Sequence, residues 1–529
     1  MSKSAQSTDL ASVRDTIESL WVAIVLAFVL RAFLAEGFVI PTGSMAPRLL
    51  GEHWQLQCPA CGYEYAFGFQ QEVAGQRLVN RAVQQAPSGA SCPSCGKPYT
   101  GQPKPIDGGD RVLVLKYLYN FRDPQPWDVV VFRNPQDNRM NYIKRLVGLP
   151  GETLEIVHGD IFVSGSTSGP FAIRRKPQRA QQAIWQVVYD NDYMPLESWQ
   201  RESSVPRWTV DDPQAWEADA FGRSFSYQGS QAGTLRLLAV GQEFLPRYGY
   251  NPSIQDRHFN PHVDVCTDLK LLATFTPLTP TGKVMLGLSS FEDRFRAVCE
   301  ASGQVSILHS REDDPSEQWR VLAQGRTKPV AAGQSVEVAL ENVDQSLRLM
   351  VNGHCVLEVL DGYPIDYAAL KSRLASGPVP VPEVMISVDG GPSRLTHLRL
   401  YRDVYYTNVS LDPVPRGPLG DFARKLGLER AGLPGWGITD HPITLAKFPD
   451  HPELDQFWVL GDNSPQSLDG RAWTSAAPSL RLDSYQLGTV PRYNLTGRAL
   501  FVYWPAGLRP PGLPNLPLIP NVGRMRLVR

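Results

Sequence analysis

The sequence is poor in cysteine, balanced in charge and contains only one long apolar segment. Seven cysteines among 529 residues are too few for a disulfide-dense secreted scaffold. The 52 Lys and Arg residues are balanced by 53 Asp and Glu residues, which gives a formal charge of −1. This charge excludes a protein that coats nucleic acid, because such a protein needs a basic surface. A composition that is 42% hydrophobic and 20% charged excludes a disordered chain and a polytopic membrane protein. At about 150 residues per domain, the length instead predicts several folded domains.

The apolar segment covers residues 20–40. The uninterrupted run from Leu20 to Leu30 is too short to cross a bilayer, but the whole segment reaches the required length of about 20 residues. Arg31 either reaches the membrane interface or pairs with Glu36. A cleaved signal peptide is the alternative, although residues 32–35 lack the small-x-small spacing of a cleavage site. We therefore predict an uncleaved transmembrane anchor over 20–40, preceded by a cytoplasmic segment over 1–19.

Alternation of apolar and polar residues predicts strands through most of the remaining chain. Several such segments between residues 109 and 163 are separated by turn signals such as Pro150-Gly151. A second group, about residues 205–407, resembles the concanavalin-like and laminin-G-like β-sandwiches. Within it, Asn352-Gly353 between two apolar runs predicts a type I′ hairpin. No motif identifies a ligand for this sandwich.

The predicted fold is mainly β, with one core that two inserts interrupt. The predicted segments are the cytoplasmic residues 1–19, the anchor 20–40, a first core segment 41–51, a Cys-rich insert 52–108, a second core segment 109–170, an insert 171–450 that contains the sandwich, a third core segment 451–505 and a Pro-rich tail 506–529.

Two separated segments contain residues suited to nucleophilic catalysis. Gly43 lets the backbone turn sharply and present the Ser44 hydroxyl, which needs a base to become a nucleophile. Lys144 and Arg145 point to opposite faces of a predicted strand, so one of them faces inward. A buried lysine has a lowered pKa and can act as the base. An ordinary turn and a solvated edge-strand lysine are the alternatives.

A third segment, residues 460–471, is a predicted tight loop after a strand. Asp469 and Arg471 can form an ion pair that braces this loop, and the Ser467 hydroxyl can orient an amine. Taken alone, a Gly-Asp-Asn turn is usually only a turn.

Together, the order and content of these segments resemble the bacterial type I signal peptidases, the Ser–Lys leader peptidases. Five motifs carry the resemblance: IPTGSMAPRL, GDRVLVLKYLY, WDVVVFRNPQDNRMNYIKRLVGLPGE, LGDNSPQSLDGRAW and GRALFVYWP. The resemblance implies that Ser44 is the nucleophile and Lys144 the general base. It also implies that Ser467 orients the lysine and that Asp469 and Arg471 are a structural pair.

The implied function is that of a membrane-anchored serine endopeptidase that removes signal peptides from exported preproteins without a cofactor. The Ser44 N–H and the Thr42 hydroxyl would hold the oxyanion. A shallow apolar groove would select small residues at positions −1 and −3 of a membrane-tethered preprotein. The catalytic domain would lie on the extracytoplasmic face of the cytoplasmic membrane. Met45 either contacts the lipid bilayer or packs in the core.

The sequence departs from this family at two residues and in its architecture. Thr42 stands where the family often has Ser, and Gly470 replaces a common Ser. The sandwich insert would replace a variable second domain of the family. The Cys-rich insert is unusual and could crowd the substrate groove.

Two matched Cys-Pro-x-Cys-Gly turns lie in the Cys-rich insert. Each turn aims two thiolates at one point, so Cys58, Cys61, Cys92 and Cys95 predict a tetrahedral site for a structural zinc ion, as in zinc ribbons. Disulfides are the alternative, because the implied location outside the cytoplasm is one where thiols oxidise.

Two other functions fit the same sequence. One is an inactive membrane-anchored binding protein whose sandwich recognises a glycan or a protein, although a decayed site has no reason to retain both Ser44 and Lys144. The other is a specialised processing peptidase that uses the sandwich as a recognition arm for one substrate.

Overall fold

A computed structural model of the protein describes residues 4–69, 87, 89–166, 169–195, 207–238, 244–251, 260, 262–312, 318–360, 363, 366–411, 433–480, 483–507 and 520–529. Four α-helices lie within these ranges: α1 (Ser4–Val29), α2 (Leu118–Phe121), α3 (Gln178–Ile184) and α4 (Tyr367–Ser376). A π-helix over Leu30–Leu34 follows α1 directly. Strands supply most of the remaining regular structure, so the prediction of a mainly β fold is confirmed.

The first ten strands belong to the core and to the Cys-rich insert, except that β10 joins a sheet of the sandwich. They are β1 (Ala35–Val39), β2 (His53–Gln57), β3 (Glu64–Gly68), β4 (Arg111–Leu115), β5 (Val129–Arg133), β6 (Asn141–Gly148), β7 (Thr153–Val157), β8 (Asp160–Ser164), β9 (Ala172–Ile173) and β10 (Gln186–Asp190).

The strands that follow form the sandwich and complete the core. Those of the sandwich are β11 (Arg207–Val210), β12 (Trp216–Ala218), β13 (Ser224–Tyr227), β14 (Gly233–Leu238), β15 (Leu269–Pro277), β16 (Lys283–Ser290), β17 (Asp293–Glu300), β18 (Gln304–Arg311), β19 (Arg320–Arg326), β20 (Val336–Val343), β21 (Ser346–Val351), β22 (His354–Val359), β23 (Val384–Asp389) and β24 (Ser393–Arg402). The last seven are β25 (Ser410–Leu411), β26 (Leu433–Pro434), β27 (Ile443–Thr444), β28 (Gln456–Leu460), β29 (Val490–Pro491), β30 (Leu495–Trp504) and β31 (Arg526–Leu527).

The core sheet brings together strands that are far apart in the sequence. Its order is β1-β4-β30-β5-β6-β28-β29, with β31 paired to β30. Side chains pack on both faces of β5, because Val129 and Val131 belong to one buried cluster and Val130 and Phe132 to another. The sheet is therefore an interior layer, which explains the nearly continuous apolar runs of its strands.

Two further sheets face each other to form the predicted sandwich. Their orders are β12-β13-β24-β15-β20-β21-β22, with β10 on β24, and β11-β14-β23-β16-β17-β18-β19. Leu271 of β15 and Leu286 of β16 belong to the same buried cluster, which fills the space between the sheets. Asn352 and Gly353 have φ angles of 48° and 76°, so the predicted hairpin turn with two left-handed residues is confirmed.

A buried charge cluster joins the sandwich to the segment that leads out of the core. The Lys176 ammonium group lies 2.9 Å from Asp403 and also contacts Asp344 of the β20–β21 turn. Burial by itself would lower the pKa of Lys176, but these carboxylates hold it well above its ordinary value. Because a buried charge without a partner is costly, this contact fixes the sandwich against the core.

The predicted anchor over 20–40 is divided between three types of structure. Its first part completes α1, the π-helix follows, and β1 pairs with β4 in the core sheet. Arg31 lies 3.7 Å from Glu36, the pairing that was one of two expectations for this arginine. Among the described residues, none of the helices combines the length and the apolar character required to cross a bilayer.

Candidate active site

The core sheet and two loops bring Ser44 and Lys144 into contact. Ser44 lies in the Ser44 loop (residues 41–45), between β1 and β2, whereas Lys144 lies in β6, opposite Val130 of β5. The Lys144 Nζ donates a hydrogen bond of 2.5 Å to the Ser44 Oγ. The two residues are 100 positions apart in the chain, so this contact exists only because the sheet has formed.

Burial determines the protonation behaviour of Lys144. Its side chain is only 3% exposed. The loss of water around the ammonium group lowers the pKa of Lys144 from 10.5 to about 8, although Asp469 and Asp462 counteract part of this effect. Near neutral pH a useful fraction of the amine is therefore unprotonated and able to accept a proton.

Asp469 and Arg471 form a bidentate ion pair at the centre of the loop that follows β28. The Arg471 Nε and Nη2 donate to the two Asp469 carboxylate oxygens at 2.9 and 2.8 Å, and both side chains are fully buried. Burial would raise the pKa of Asp469, but Arg471, the Gly461 N–H and the Ser467 side chain together hold it below its ordinary value. The carboxylate also accepts the Gly461 N–H at 2.9 Å, so the pair fixes the backbone beside Ser44.

Ser467 is buried near these groups without contacting the lysine. Its hydroxyl interacts with the Asp469 carboxylate and helps to lower the pKa of that group. A Cβ on Gly461 would approach this hydroxyl to 2.1 Å and the Ser44 carbonyl oxygen to 2.5 Å. Only glycine at 461 lets the two loops pack this closely. The predicted role of Ser467 as lysine orienter stays a prediction.

The groups predicted to hold an oxyanion lie at the surface of the Ser44 loop. Thr42 is exposed, and Ser44 is partly exposed. Within the part of the chain that the structure describes, the Ser44 N–H donates to no carbonyl group. It is therefore available to an external acceptor. Met45, the next residue, is fully buried in the core, which excludes the lipid contact considered for it.

Arg145 has a structural role that the sequence did not reveal. Strand alternation predicts that only one of Lys144 and Arg145 faces inward, yet both are buried because the sheet is covered on both faces. The Arg145 guanidinium donates to the Asp462 carboxylate at 2.7 and 2.6 Å. This second buried pair links β6 to the loop after β28, next to the first.

Asn463 holds the Ser44 loop through two backbone carbonyls. Its N–H donates to the Ser44 carbonyl at 3.1 Å, and its side-chain amide donates to the Gly43 carbonyl at 2.9 Å. The same amide exchanges hydrogen bonds of 2.6 and 2.7 Å with the side chain of Asn251, which lies in the sandwich insert. The prediction of the site missed both asparagines. Asn463 lay within a recognised motif, but no sequence signal marks Asn251.

Tyr250 packs directly against the Ser44 loop. A Cβ on Gly43 would lie 2.0 Å from the Tyr250 ring, and one on Gly68 would lie 2.3 Å from it. The Tyr250 hydroxyl donates to the Glu52 carbonyl at 3.1 Å. The segment of residues 244–251 therefore wedges between the Ser44 loop and the Cys-rich insert, so both inserts support the loop that carries Ser44.

The four predicted metal ligands meet at one buried point. Their sulfur atoms all lie within 4.8 Å of one another, with Cys58–Cys95 and Cys61–Cys92 separations of 3.6 Å. A tetrahedral zinc site with Zn–S bonds of about 2.3 Å requires sulfur separations of roughly 3.8 Å, whereas a disulfide requires about 2 Å. Each turn closes with a left-handed glycine, Gly62 or Gly96, whose N–H bonds back to the first cysteine carbonyl.

The fold and the site define a mainly β protein in which a serine hydroxyl lies against a buried amine, the arrangement found in Ser–Lys hydrolases. The model of the family described as "Signal peptidase, peptidase S26" matches residues 102–210 and 447–504. These ranges include the strand of Lys144 and the loop of Asp469 and Arg471. The predicted resemblance to bacterial type I signal peptidases is thereby confirmed.

Parts of this chain are also similar to curated bacterial signal peptidases. Signal peptidase I of Pseudomonas fluorescens is 40% identical over 82 residues, which are 13% of this chain and 29% of the relative. The probable signal peptidase I-1 of Synechocystis sp. is 26% identical over 173 residues, which are 31% of this chain and 59% of the relative. The chain thus spans less than two thirds of the length of these relatives.

Solved structures match this chain only weakly. The carbohydrate binding module CBM66 from Bacillus subtilis is 11% identical and covers 36% of this chain and 94% of its own, with a TM-score of 0.24. Sheep galectin-11 in complex with glycerol is 17% identical and covers 26% of this chain and 91% of its own, with a TM-score of 0.18. Similarity of this size assigns no ligand to the sandwich.

Proposed function

We propose that this chain is a membrane-associated serine endopeptidase that cleaves signal peptides from exported preproteins, with Ser44 as nucleophile and Lys144 as general base. The observation that carries the proposal is the 2.5 Å contact between the Ser44 hydroxyl and the Lys144 amine, whose pKa is lowered by burial. The similarity to signal peptidases supports the choice of substrate, a preprotein with small residues at positions −1 and −3.

The mechanism is acyl transfer in two steps. Unprotonated Lys144 accepts the hydroxyl proton as the Ser44 Oγ attacks the scissile carbonyl carbon, and a tetrahedral intermediate forms. The Ser44 N–H and the Thr42 hydroxyl donate to the oxyanion of each tetrahedral intermediate. The protonated amine gives its proton to the leaving nitrogen as the C–N bond breaks, which leaves the acyl-enzyme. Lys144 then takes a proton from the water that attacks the ester and returns it to the Ser44 Oγ as the ester bond breaks. The pairs Asp469–Arg471 and Arg145–Asp462 hold this geometry in place.

Cleavage of a purified preprotein tests the proposal. The full chain in detergent should cut a preprotein carrying an Ala-x-Ala site after the second alanine, and mass spectrometry of both products identifies the bond. A matched preprotein with a bulky residue at −1 should stay intact. The proposal is wrong if the chain cleaves none of a broad panel of preproteins although circular dichroism shows that it is folded.

The N-terminal region supports attachment to a membrane. Large apolar side chains on the surface of α1 and the π-helix are exposed, among them Trp21, Val22, Phe28 and Phe33 at 63–69%. Exposed apolar surface of this kind is usually covered by lipid or a partner. Attachment through the exposed apolar residues of α1 and the π-helix, with the core on the extracytoplasmic face, predicts that the chain resists carbonate extraction. Protease added to intact spheroplasts should then degrade the core.

Asn251 is expected to act as a positioning residue for Ser44. Replacing Asn251 with alanine should lower kcat about tenfold with little change in KM, because Asn463 loses its buried partner and holds the Ser44 loop less firmly. Steady-state kinetics on the preprotein separates the two parameters. Asn138→Ala, which removes an exposed asparagine amide, is the matched control and should leave both unchanged. An unchanged kcat in Asn251→Ala would contradict this role.

The four cysteines of the Cys-rich insert are expected to hold one structural zinc ion. Their sulfur separations fit a tetrahedral site, and the structure records all four as free thiols. Chain purified without chelator should contain about one zinc per molecule by plasma mass spectrometry. Cys92→Ser should lose the metal and unfold at a lower temperature, whereas Cys355→Ser, which changes an exposed cysteine, should keep it. Disulfides and no zinc in the native chain would contradict the assignment.

A further inference from the structure

A cavity of about 930 Å³ lies between the two inserts, beside Pro47, Arg48 and Leu50, which follow the Ser44 loop. Its wall combines the Cys-rich insert, the segment of residues 244–251, strand β10 and the chain near residue 525. Ser44 and Lys144 do not line it. The volume is within the range that organic ligands occupy in proteins.

The charged residues of the wall are almost all positive. Among the described residues, five arginines and one carboxylate, that of Glu64, line the cavity; the arginines are Arg48, Arg247, Arg402, Arg524 and Arg526. We name this space the arginine cavity. Guanidinium groups gathered in this way repel one another unless an anion lies between them.

Within the described ranges, carboxylates pair with two of these guanidinium groups. Arg526 lies 2.9 Å from Asp110, and Arg524 lies 3.9 Å from Glu64. Among the described residues, no carboxylate lies within ion-pair distance of Arg48 or Arg402. Burial, together with the nearby Arg526, lowers the pKa of Arg48 to about 10.

One part of the wall consists of hydrogen-bond donors that lack acceptors. Arg402 is 3% exposed and lies over the ring of Tyr248, with one nitrogen bonded to Gln186 at 3.1 Å. In the described part of the chain, its Nη1 and the Arg48 Nε have no hydrogen-bond partner. Buried donors are normally satisfied, so these two nitrogens are suited to an acceptor from outside the protein.

Aromatic side chains supply the apolar part of the same wall, from Tyr63, Tyr65, Trp185 and Tyr250. We propose that the arginine cavity binds an organic anion, whose phosphate or carboxylate group is held by the arginines and whose carbon skeleton lies against the aromatic rings. A guanidinium group is suited to both oxyanions because its donors match their paired oxygens. This binding does not require that the chain be a peptidase.

Titration calorimetry of the full chain in detergent tests the proposal with pyrophosphate and with citrate as probes. At least one should bind with a Kd of about 1 mM or tighter, and added salt should weaken it. Nanodiscs that contain phosphatidylglycerol, compared with phosphatidylcholine discs, test the other source of the same chemistry. Binding of the soluble anions identifies a soluble ligand, whereas binding of phosphatidylglycerol alone identifies a lipid headgroup.

Arginine variants show whether the binding occurs in this cavity. Arg48→Met and Arg247→Met should each weaken the Kd at least about fivefold. Arg326→Met, which changes an exposed arginine of β19, should leave it unchanged. Thermal unfolding establishes that each variant is folded. If Arg48→Met does not fold, the test depends on Arg247→Met, which changes an exposed residue. The proposal is overturned if no probe binds, or if all three variants bind as the unaltered chain does.

Discussion

Replacing Ser44 with alanine should reduce the cleavage rate of an Ala-x-Ala preprotein by about 10⁴-fold or more. The substitution removes the hydroxyl that the Lys144 amine contacts, so no covalent intermediate can form, whereas the backbone N–H groups and the fold remain. Losses of this size follow removal of the nucleophile in other serine peptidases. Quantitative mass spectrometry of the released mature protein covers the necessary range of rates.

The control for this prediction is another serine in the same chain. Ser230→Ala changes an exposed serine of the sandwich insert and should leave the rate unchanged. Thermal unfolding of both variants should match that of the unaltered chain within a few degrees. If Ser44→Ala still cuts the same bond at a comparable rate, another residue is the nucleophile.

The strands of the core were predictable because strands that are buried on both faces have nearly continuous apolar sequences. The strands β4, β5 and β6 coincide with apolar runs between turn signals, and the Asn352-Gly353 turn has the geometry that its residues require. Residues 35–39 show the limit of this reasoning. Their apolar composition suits the end of a membrane helix equally well, and only pairing with β4 makes them a strand.

The contacts of the candidate site were predictable only where a family motif carried them. Nothing in local periodicity joins Ser44 to Lys144, and the resemblance to signal peptidases supplied that pair. The bonds between Asn251 and Asn463 join residues 212 positions apart, one of them in an insert without a recognisable motif. Such long-range polar pairs depend on how the insert docks, which composition and spacing do not encode.

Replacing Lys144 with methionine should abolish cleavage while stabilising the fold. Methionine fills a similar volume but accepts no proton, so the rate should fall by about 10⁴-fold, as for Ser44→Ala. The pKa of Lys144 is lowered from 10.5 to about 8, so holding the ammonium ion in the folded state costs up to about 3 kcal/mol at pH 7. The variant avoids this cost, and its free energy of unfolding at pH 7 should rise by about 1–3 kcal/mol.

Because the pKa of Lys144 is lower in the folded chain than in the unfolded chain, the stability gained by Lys144→Met depends on pH. Between pH 8 and 10.5 the unfolded chain binds the Lys144 proton more tightly than the folded chain, so the unaltered protein gains stability as the pH rises through this window. The advantage of Lys144→Met should therefore shrink from pH 8 upwards and vanish near pH 10.5. Chemical denaturation at several pH values measures it, with Lys447→Met, an exposed lysine, as the control. A variant that is less stable at pH 7 would contradict the assigned burial cost.

The same pKa governs the rate of the unaltered enzyme. Only the unprotonated amine can accept the Ser44 proton, so kcat/KM should rise about tenfold per pH unit below pH 8 and level off above it. At pH 6 the rate should be about one hundredth of the plateau, since about 1% of Lys144 is then unprotonated. An ordinary solvated lysine would place the inflection near pH 10. A profile of kcat/KM from pH 5.5 to about 10 distinguishes the two, and an inflection near 10 would show that the lysine is not buried as the core sheet requires.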